Sequence, residues 1–390
     1  MEIRARRYDS GLPVLLKIEQ SRIVQSKACQ AEAQESAGWP WVAPGLLDIQ
    51  VNGYGGQEFS DPRLSPEKVC RVVESMNPFG VTRFCPTVTT ERFEVLRHSM
   101  ETLRQTVEQS ADMAWRLPCI HLEGPYLTKE DGARGAHPLA HCRAPNWDEF
   151  QRFQEAAGGR IGILTMSVEY PESAAFVRRV AQSGVVVAIG HTAATSDQIR
   201  AAADAGARLS THLGNGAHSI LPRHPNYIWA QLADDRLTAS LIVDGHHLPP
   251  DVVRTFVRAK TPARSILVSD LSGLAGLPPG RYASNLCDVE ILDDGRLVVA
   301  GQRKILAAAS RPLSVCVGNA IRFAQLSLAD AIGMATRHPG ELIGVQSGSL
   351  LAGDDANLVL FDLADDGPNV PPRFKPRATV ANGRVVYGTI

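Results

Sequence analysis

Nowhere in the 390 residues is there a run of about 18 apolar side chains, the length a helix needs to cross a bilayer, so no membrane span is expected. There is no excess of either charge. Lys and Arg number 40 against 41 Asp and Glu, a net charge of -1, which excludes nucleic-acid or membrane-surface binding driven by bulk electrostatics. Cysteine is sparse and unpaired in pattern. The seven lie at 29, 70, 85, 119, 142, 287 and 316, with no C-x-x-C among them, so neither a zinc ribbon nor a disulfide framework is expected. They read as reduced thiols, and no apolar h-region follows the opening MEIRARRYDS, so a cytoplasmic protein is the expectation. Repeats and low-complexity tracts are lacking too. What remains is an ordinary globular composition, 44% hydrophobic and 21% charged, in a chain long enough for one large domain plus a smaller one.

The hydrophobic pattern divides the chain. Residues 1–43 hold short half-alternating runs such as LPVLLKIEQSRIVQ, and the tail repeats the style in ANLVLFDL and PRATVANGRVVYG, the latter with an Asn-Gly hairpin signal. Both ends, 1–43 and 346–390, are therefore expected to build one small β-sandwich. DDGPNVPPRFKP (365–376) reads as a proline-rich surface loop or linker. Between 44 and 345, β-branched runs (GLLDIQV, TRFCPTV, CIHLEG, IGILTMSVE, VVVAIGHT, ARLSTHLGN, TASLIVDGHH, SILVSDLS) alternate with helical stretches such as SPEKVCRVVESMN, SAAFVRRVAQSG and TSDQIRAAADAG. Eight strands with crossover helices predict an α/β fold of the (β/α)8 TIM-barrel class, with a doubly wound open sheet as the alternative.

In a parallel barrel, chemistry sits at the C-terminal ends of the strands. Here the third strand ends in Glu123, the fifth in His191, the sixth in His212, the seventh in Asp244, His246 and His247, and the eighth in Asp270. Any one of these alone is ordinarily a cap or a solvated loop residue. Together, a carboxylate and two imidazoles suit one divalent transition metal, zinc above all, with iron, cobalt and manganese as alternatives. Three protein ligands leave a position for water, the catalytic arrangement. Asp270 then suits proton transfer from that water to a leaving group.

Several segments in combination carry a resemblance: PGLLDIQVNGYGGQEFSD, HLEGPYL with GAH behind it, IGHTAAT, THLGNGAHSILPRHP, VDGHHLPP, LVSDLSGLAG and GSLLAGDDANLVLFD. The chain resembles the N-acetylglucosamine-6-phosphate deacetylases of the amidohydrolase superfamily over nearly its whole length. The resemblance implies hydrolysis of N-acetylglucosamine-6-phosphate to glucosamine-6-phosphate and acetate, by water activated at the ion. It implies Glu123, His191 and His212 as metal ligands, Asp270 as the acid/base, and His137 against the scissile carbonyl. Asn215, Gly216, Arg223 and His247 fall at positions that hold the sugar phosphate and hydroxyls, with the arginine lent across a homodimer interface. Many amidohydrolases end the first strand in H-x-H and hold a second metal. Gln50-Val51-Asn52 stands there, which implies a single ion per chain.

The chain departs from the family at three places. His224, Tyr227 and Trp229 add bulk after Arg223, and His218 replaces part of the usual Asn-Ala-Met-Pro run. Gln302, Arg303 and Lys304 stand where the family keeps small hydroxylated residues near the acetyl group. These departures bear on substrate choice, leaving open another N-acyl sugar, a related amide or a repurposed ligand-binding barrel; the metal ligands are unaffected.

Overall fold

Eight short parallel strands surround the centre of the molecule in the computed structural model, which describes every residue except 285–286, 302–305, 365–366 and 368–369. They are β1 (Leu46–Val51), β2 (Val81–Thr89), β3 (Ile120–Glu123), β4 (Ile161–Met166), β5 (Val186–Ile189), β6 (Ala207–Ser210), β7 (Thr238–Ile242) and β8 (Ser265–Val268). Every residue of β1 and β2 is buried, as a parallel strand covered on both faces requires. The pairing order follows the chain from one to eight. An open doubly wound sheet reverses its order at a switch point, and this one does not. The ring closes between its ends: Val51 bridges Leu271 just beyond β8, and the Asp270 N–H donates to the Gln50 carbonyl at 3.0 Å.

A helix follows each strand, and its apolar spacing explains its placement. Pro66–Met76 buries Val69, Val72, Val73 and Met76, one stripe at helical period, and starts with proline at its first position. Ser196–Ala205 opens on a Thr195–Gln198 capping box and ends at Gly206 with φ +116°, a left-handed stop that glycine tolerates. After β8 the pattern is interrupted. A three-stranded antiparallel excursion (Gly280–Ala283, Asp288–Ile291, Leu297–Val299) intervenes before the eighth helix, Leu313–Ala324. It packs on its own small cluster of Leu274, Val289, Ile291, Leu297 and Ala307. The periodicity of the barrel did not announce this insertion.

Strands from both ends of the chain share one seven-stranded sheet, in which Trp41–Pro44 lies between Glu2–Arg7 and Leu358–Ala364. Of the proline-rich stretch at 365–376, residues 365–366 and 368–369 lie outside the described residues, and its last four residues are not loop. Residues 373–376 open the strand Arg373–Ala381, because Phe374 is buried and stacks on Phe361 at 4.0 Å between ring centres. No helix among the described residues is long and apolar enough to cross a membrane.

Candidate active site

A cavity of about 460 Å³ opens at the C-terminal ends of the barrel strands. Glu123, the last residue of β3, is buried at its floor, with His191 and His212 just past β5 and β6. Glu123 Oε1 lies 3.1 Å from His191 Nε2 and 3.0 Å from His212 Nε2, and the two nitrogens are 3.2 Å apart. His191 Nδ1 stands 3.1 Å from the Ala133 carbonyl, which can only accept. Nδ1 therefore carries the proton, and in the neutral ring Nε2 presents a lone pair to a carboxylate oxygen. Lone pairs facing one another are repulsive unless a cation lies between them. Ligand atoms at about 2.0–2.1 Å around a tetrahedral zinc stand about 3.3 Å apart, close to these separations. Spacing and donor chemistry both fit one divalent ion held by Glu123, His191 and His212.

The surroundings tune these groups. Burial opposes charge on Glu123, but the adjoining His191 and His212 rings outweigh it and hold its carboxyl well below the usual range. Burial also opposes a proton on His212, yet the same carboxylate raises its pKa above the ordinary imidazole value. The other Glu123 oxygen accepts from Gln50 Nε2 at 3.1 Å. An amide thus occupies the β1 end, donating to the carboxylate. Asn52 Nδ2 in turn donates to Asp270 Oδ1 at 2.8 Å. Burial, with Glu123's charge second, pushes Asp270 up to about 6, a value suited to moving protons near neutrality.

Deeper in the barrel, His121 precedes Glu123 by two residues on the same strand face. Its Nδ1 donates to the Ile49 carbonyl at 3.0 Å, and Nε2 accepts from Thr165 Oγ1 at 2.7 Å. Burial pushes it down to about 4, so it is a neutral strut beneath the carboxylate.

The long loop after β3 brings His137 back over the cluster. His137 Nε2 lies 3.3 Å from His191 Nε2 and 3.9 Å from Glu123 Oε1, and burial pushes its pKa down to about 3. A neutral imidazole there can offer an N–H to a substrate oxygen. Asn215, Gly216 and His247 line the same cavity. His247 Nδ1 donates to Asp244 Oδ2 at 2.8 Å, and Asp244 also accepts from the His246 and His247 backbone N–H groups.

Arg223 is the exception among the expected residues. It is exposed on the loop before the helix Tyr227–Ala233 and does not line this cavity. Gln302, Arg303 and Lys304 lie outside the described residues. Just beyond that segment, Leu306 and Ala308 border the cavity, with Ala308 at φ +63°. Among the lining residues not singled out from the sequence are Thr89 at the end of β2, and Arg296 and Val298 from the antiparallel excursion. Thr89 was legible in principle as a strand-end hydroxyl. Arg296 was not, because nothing local says that the excursion folds over the barrel mouth.

Comparison with known proteins agrees with the geometry. The model of the amidohydrolase family matches residues 41–386. The N-acetylglucosamine-6-phosphate deacetylase of Bos taurus is 31% identical over 368 residues, 92% of this chain and 86% of that protein. The N-acetylgalactosamine-6-phosphate deacetylase of Escherichia coli O157:H7 is 29% identical over 323 residues, 82% of this chain and 83% of that protein. The solved structure of the Mycobacterium smegmatis N-acetyl-D-glucosamine-6-phosphate deacetylase, in complex with N-acetyl-D-glucosamine-6-phosphate, superposes with a TM-score of 0.87 at 28% identity, over 99% of both chains. With the barrel, the carboxylate–imidazole cluster and these matches taken together, the chain belongs to the amidohydrolase family, in the group of the N-acetylglucosamine-6-phosphate deacetylases.

Proposed function

We propose that this protein removes the acetyl group from N-acetylglucosamine-6-phosphate, giving glucosamine-6-phosphate and acetate. The observation that carries the reading is the convergence of Glu123, His191 and His212 to within 3.2 Å of one another, in one cavity with Asp270, His137, Asn215, Gly216 and His247. Glu123, His191 and His212 would hold one divalent ion, zinc first, which would supply Lewis acidity for the amide oxygen and a lowered pKa for a water. Asp270 takes the proton of the attacking water and returns it to the departing amine. Asn52 fixes the Asp270 carboxylate in direction. Neutral His137 donates to the oxygen on which negative charge develops, a contact typically worth about 10²–10³ in rate. Asn215, Gly216 and His247 hold the sugar and its phosphate. Arg223, exposed in its own chain, serves the phosphate of a neighbouring subunit in a homodimer. Gln50 and Asn52 in place of two imidazoles support a single ion per chain. The chain divides into a barrel of residues 44–345 and a β-rich part from 1–43 and 346–390, working in the cytoplasm.

A second reading concerns only the sugar. The match to an N-acetylgalactosamine-6-phosphate deacetylase, of similar strength, makes the epimer at C4 the competing substrate. Both readings are tested together. The purified protein is assayed for bound metal, with about one ion per chain expected, and offered both N-acetyl sugars with and without the 6-phosphate. Asp270→Asn should retain the ion and lose at least about 10²-fold in kcat. A protein that binds no divalent ion, or leaves all four sugars uncut, would overturn the proposal.

A further inference from the structure

The loop that delivers His137 has few anchors. Among the described residues, the hydrogen bonds tying 129–137 to other segments run to His191 and His218 only. The Ala133 carbonyl accepts from His191 Nδ1, and His137 Nε2 lies 3.3 Å from His191 Nε2. Glu130 Oε2 meets His218 Nε2 at 3.2 Å. The remaining bonds, such as Arg134 Nη1 to the His137 carbonyl and the Arg134–Asp131 pair, stay within the loop. Backbone packing adds to the His218 contact: a methyl at Gly132 would come within 3.2 Å of the His218 Cα.

His218 is itself held in one state. Its backbone N–H donates to the Tyr227 hydroxyl oxygen at 2.8 Å, and that hydroxyl also meets His218 Nδ1 at 2.9 Å. A backbone N–H can only donate, so the Tyr227 oxygen accepts there and its own proton is free for Nδ1. Nδ1 is then the acceptor, and Nε2 carries the hydrogen that faces the Glu130 carboxylate. Tyr227 is buried at the start of its helix and is anchored by packing. The chain Tyr227–His218–Glu130 thus runs from a rigid element to the delivery loop. His218 and Tyr227 are two of the departures from the family pattern, and the site as described so far has no use for them.

We infer that His218 is a positioning residue, which latches the loop of residues 129–137 through Glu130 and so sets His137 and Ala133 against His191. The inference rests on the reading of His137 as the donor to the acyl oxygen. Because the Glu130 side chain is largely exposed, the latch is weak and its effect on rate is modest.

The test uses metal-loaded full-length protein with Glu130→Ala, His218→Ala, His218→Gln and the Glu130→Ala/His218→Ala double variant. Glu130→Ala changes an exposed side chain, so it keeps the test open if a His218 variant folds poorly. Each single alanine variant should keep its metal and its KM within about two-fold while kcat falls roughly 2- to 5-fold, the size expected of a weak, half-exposed contact. Amide hydrogen exchange across 129–137 should quicken in both, and the double variant should be no worse than either single. Glutamine, whose amide nitrogen reaches the place of Nε2, should recover most of the loss. Unchanged exchange in 129–137, additive losses in the double variant, or a loss carried wholly by KM would overturn the latch. The exchange measurement needs no substrate. If exchange responds but no phosphorylated sugar is cut, the latch stands as a loop anchor and the proposed activity falls; the converse result removes the latch alone.

Discussion

His191, His212 and Asp270 hold backbone angles that residues with a β-carbon avoid, with φ at +47°, +29° and +53°. Each such residue costs roughly 1–3 kcal/mol and persists only where its surroundings over-determine it. All three stand two residues beyond the end of a barrel strand, where the chain must turn a side chain back over the mouth instead of continuing the alternation. Glycines make room for that turn. A methyl at Gly216, itself at φ +55°, would fall 2.5 Å from His191 Nδ1, inside any contact distance. Gly216→Ala is therefore expected to tilt the His191 ring and weaken its hold on Ala133. Metal affinity and kcat/KM should fall about 10- to 100-fold, the range for disturbed support of a ligand. Competition with a chelator reads the first, and circular dichroism should show the fold unchanged. Equal metal affinity in the variant and the parent would refute the crowding argument. The liganding trio was legible in the sequence because each residue ends an apolar run, where strand-end logic applies. His121 was passed over although it stands two residues before Glu123, because a histidine inside an apolar run reads as packing. Arg223 was placed by family resemblance alone, which also implied that it is lent across a dimer interface; nothing in the local sequence shows either.

At the scale of elements, the closure of the barrel depends on a buried acid. Asp48, on β1, accepts from the Ser269 backbone N–H at 3.2 Å, just beyond β8, and from the Gln50 N–H at 3.2 Å. Burial pushes its pKa up to about 7 despite these bonds. In the unfolded chain an aspartate titrates near about 3.9. The folded state therefore binds this proton more tightly. The contribution is fully present below about pH 4 and is lost as pH rises through about 7, on the order of 2–4 kcal/mol in all. Asp48→Asn keeps an acceptor oxygen without the charge. It should be less dependent on pH than the parent, gaining on it between pH 5 and pH 8 in urea-unfolding midpoints. A constant difference across that range would mean that Asp48 does not titrate there. The barrel strands and their helices were readable because burial on both faces gives continuous apolar runs and helices give a 3.6-residue stripe. The antiparallel excursion at 280–299 was not: its strands are three or four residues long, and its cluster of five buried side chains is too small to leave a period. Residues 373–376 were misjudged for a related reason. Two prolines at 371–372 and another at 376 signal a loop, while a single stacked pair of phenylalanines holds the strand.

For the whole molecule, the open question is where Arg223 acts. A guanidinium suits a phosphate because it offers a forked pair of donors, yet this one is exposed and does not line its own chain's cavity; Ile220 on the same loop is 88% exposed, and Trp229 on the helix that follows is 49% exposed. Apolar side chains so placed favour burial against another surface, which supports the proposed pairing of chains in which Arg223 serves the other's phosphate. That geometry makes a quantitative prediction. Arg223→Ala should raise KM for phosphorylated sugars far more than for free ones. Asp270→Asn should be inactive on both. If each site is built from one chain's Asp270 and the other's Arg223, then unfolding and refolding an equal mixture of the two variants yields half mixed dimers. Each mixed dimer has one site with both residues intact, so about a quarter of the wild-type activity should return at low concentrations of phosphorylated substrate. Were Arg223 to serve its own chain, no mixed dimer would hold an intact site, and the mixture would show only the residual activity of its parents. Sedimentation at assay concentrations separates that outcome from a chain that stays monomeric, for which mixing can restore nothing and the shared site is ruled out directly.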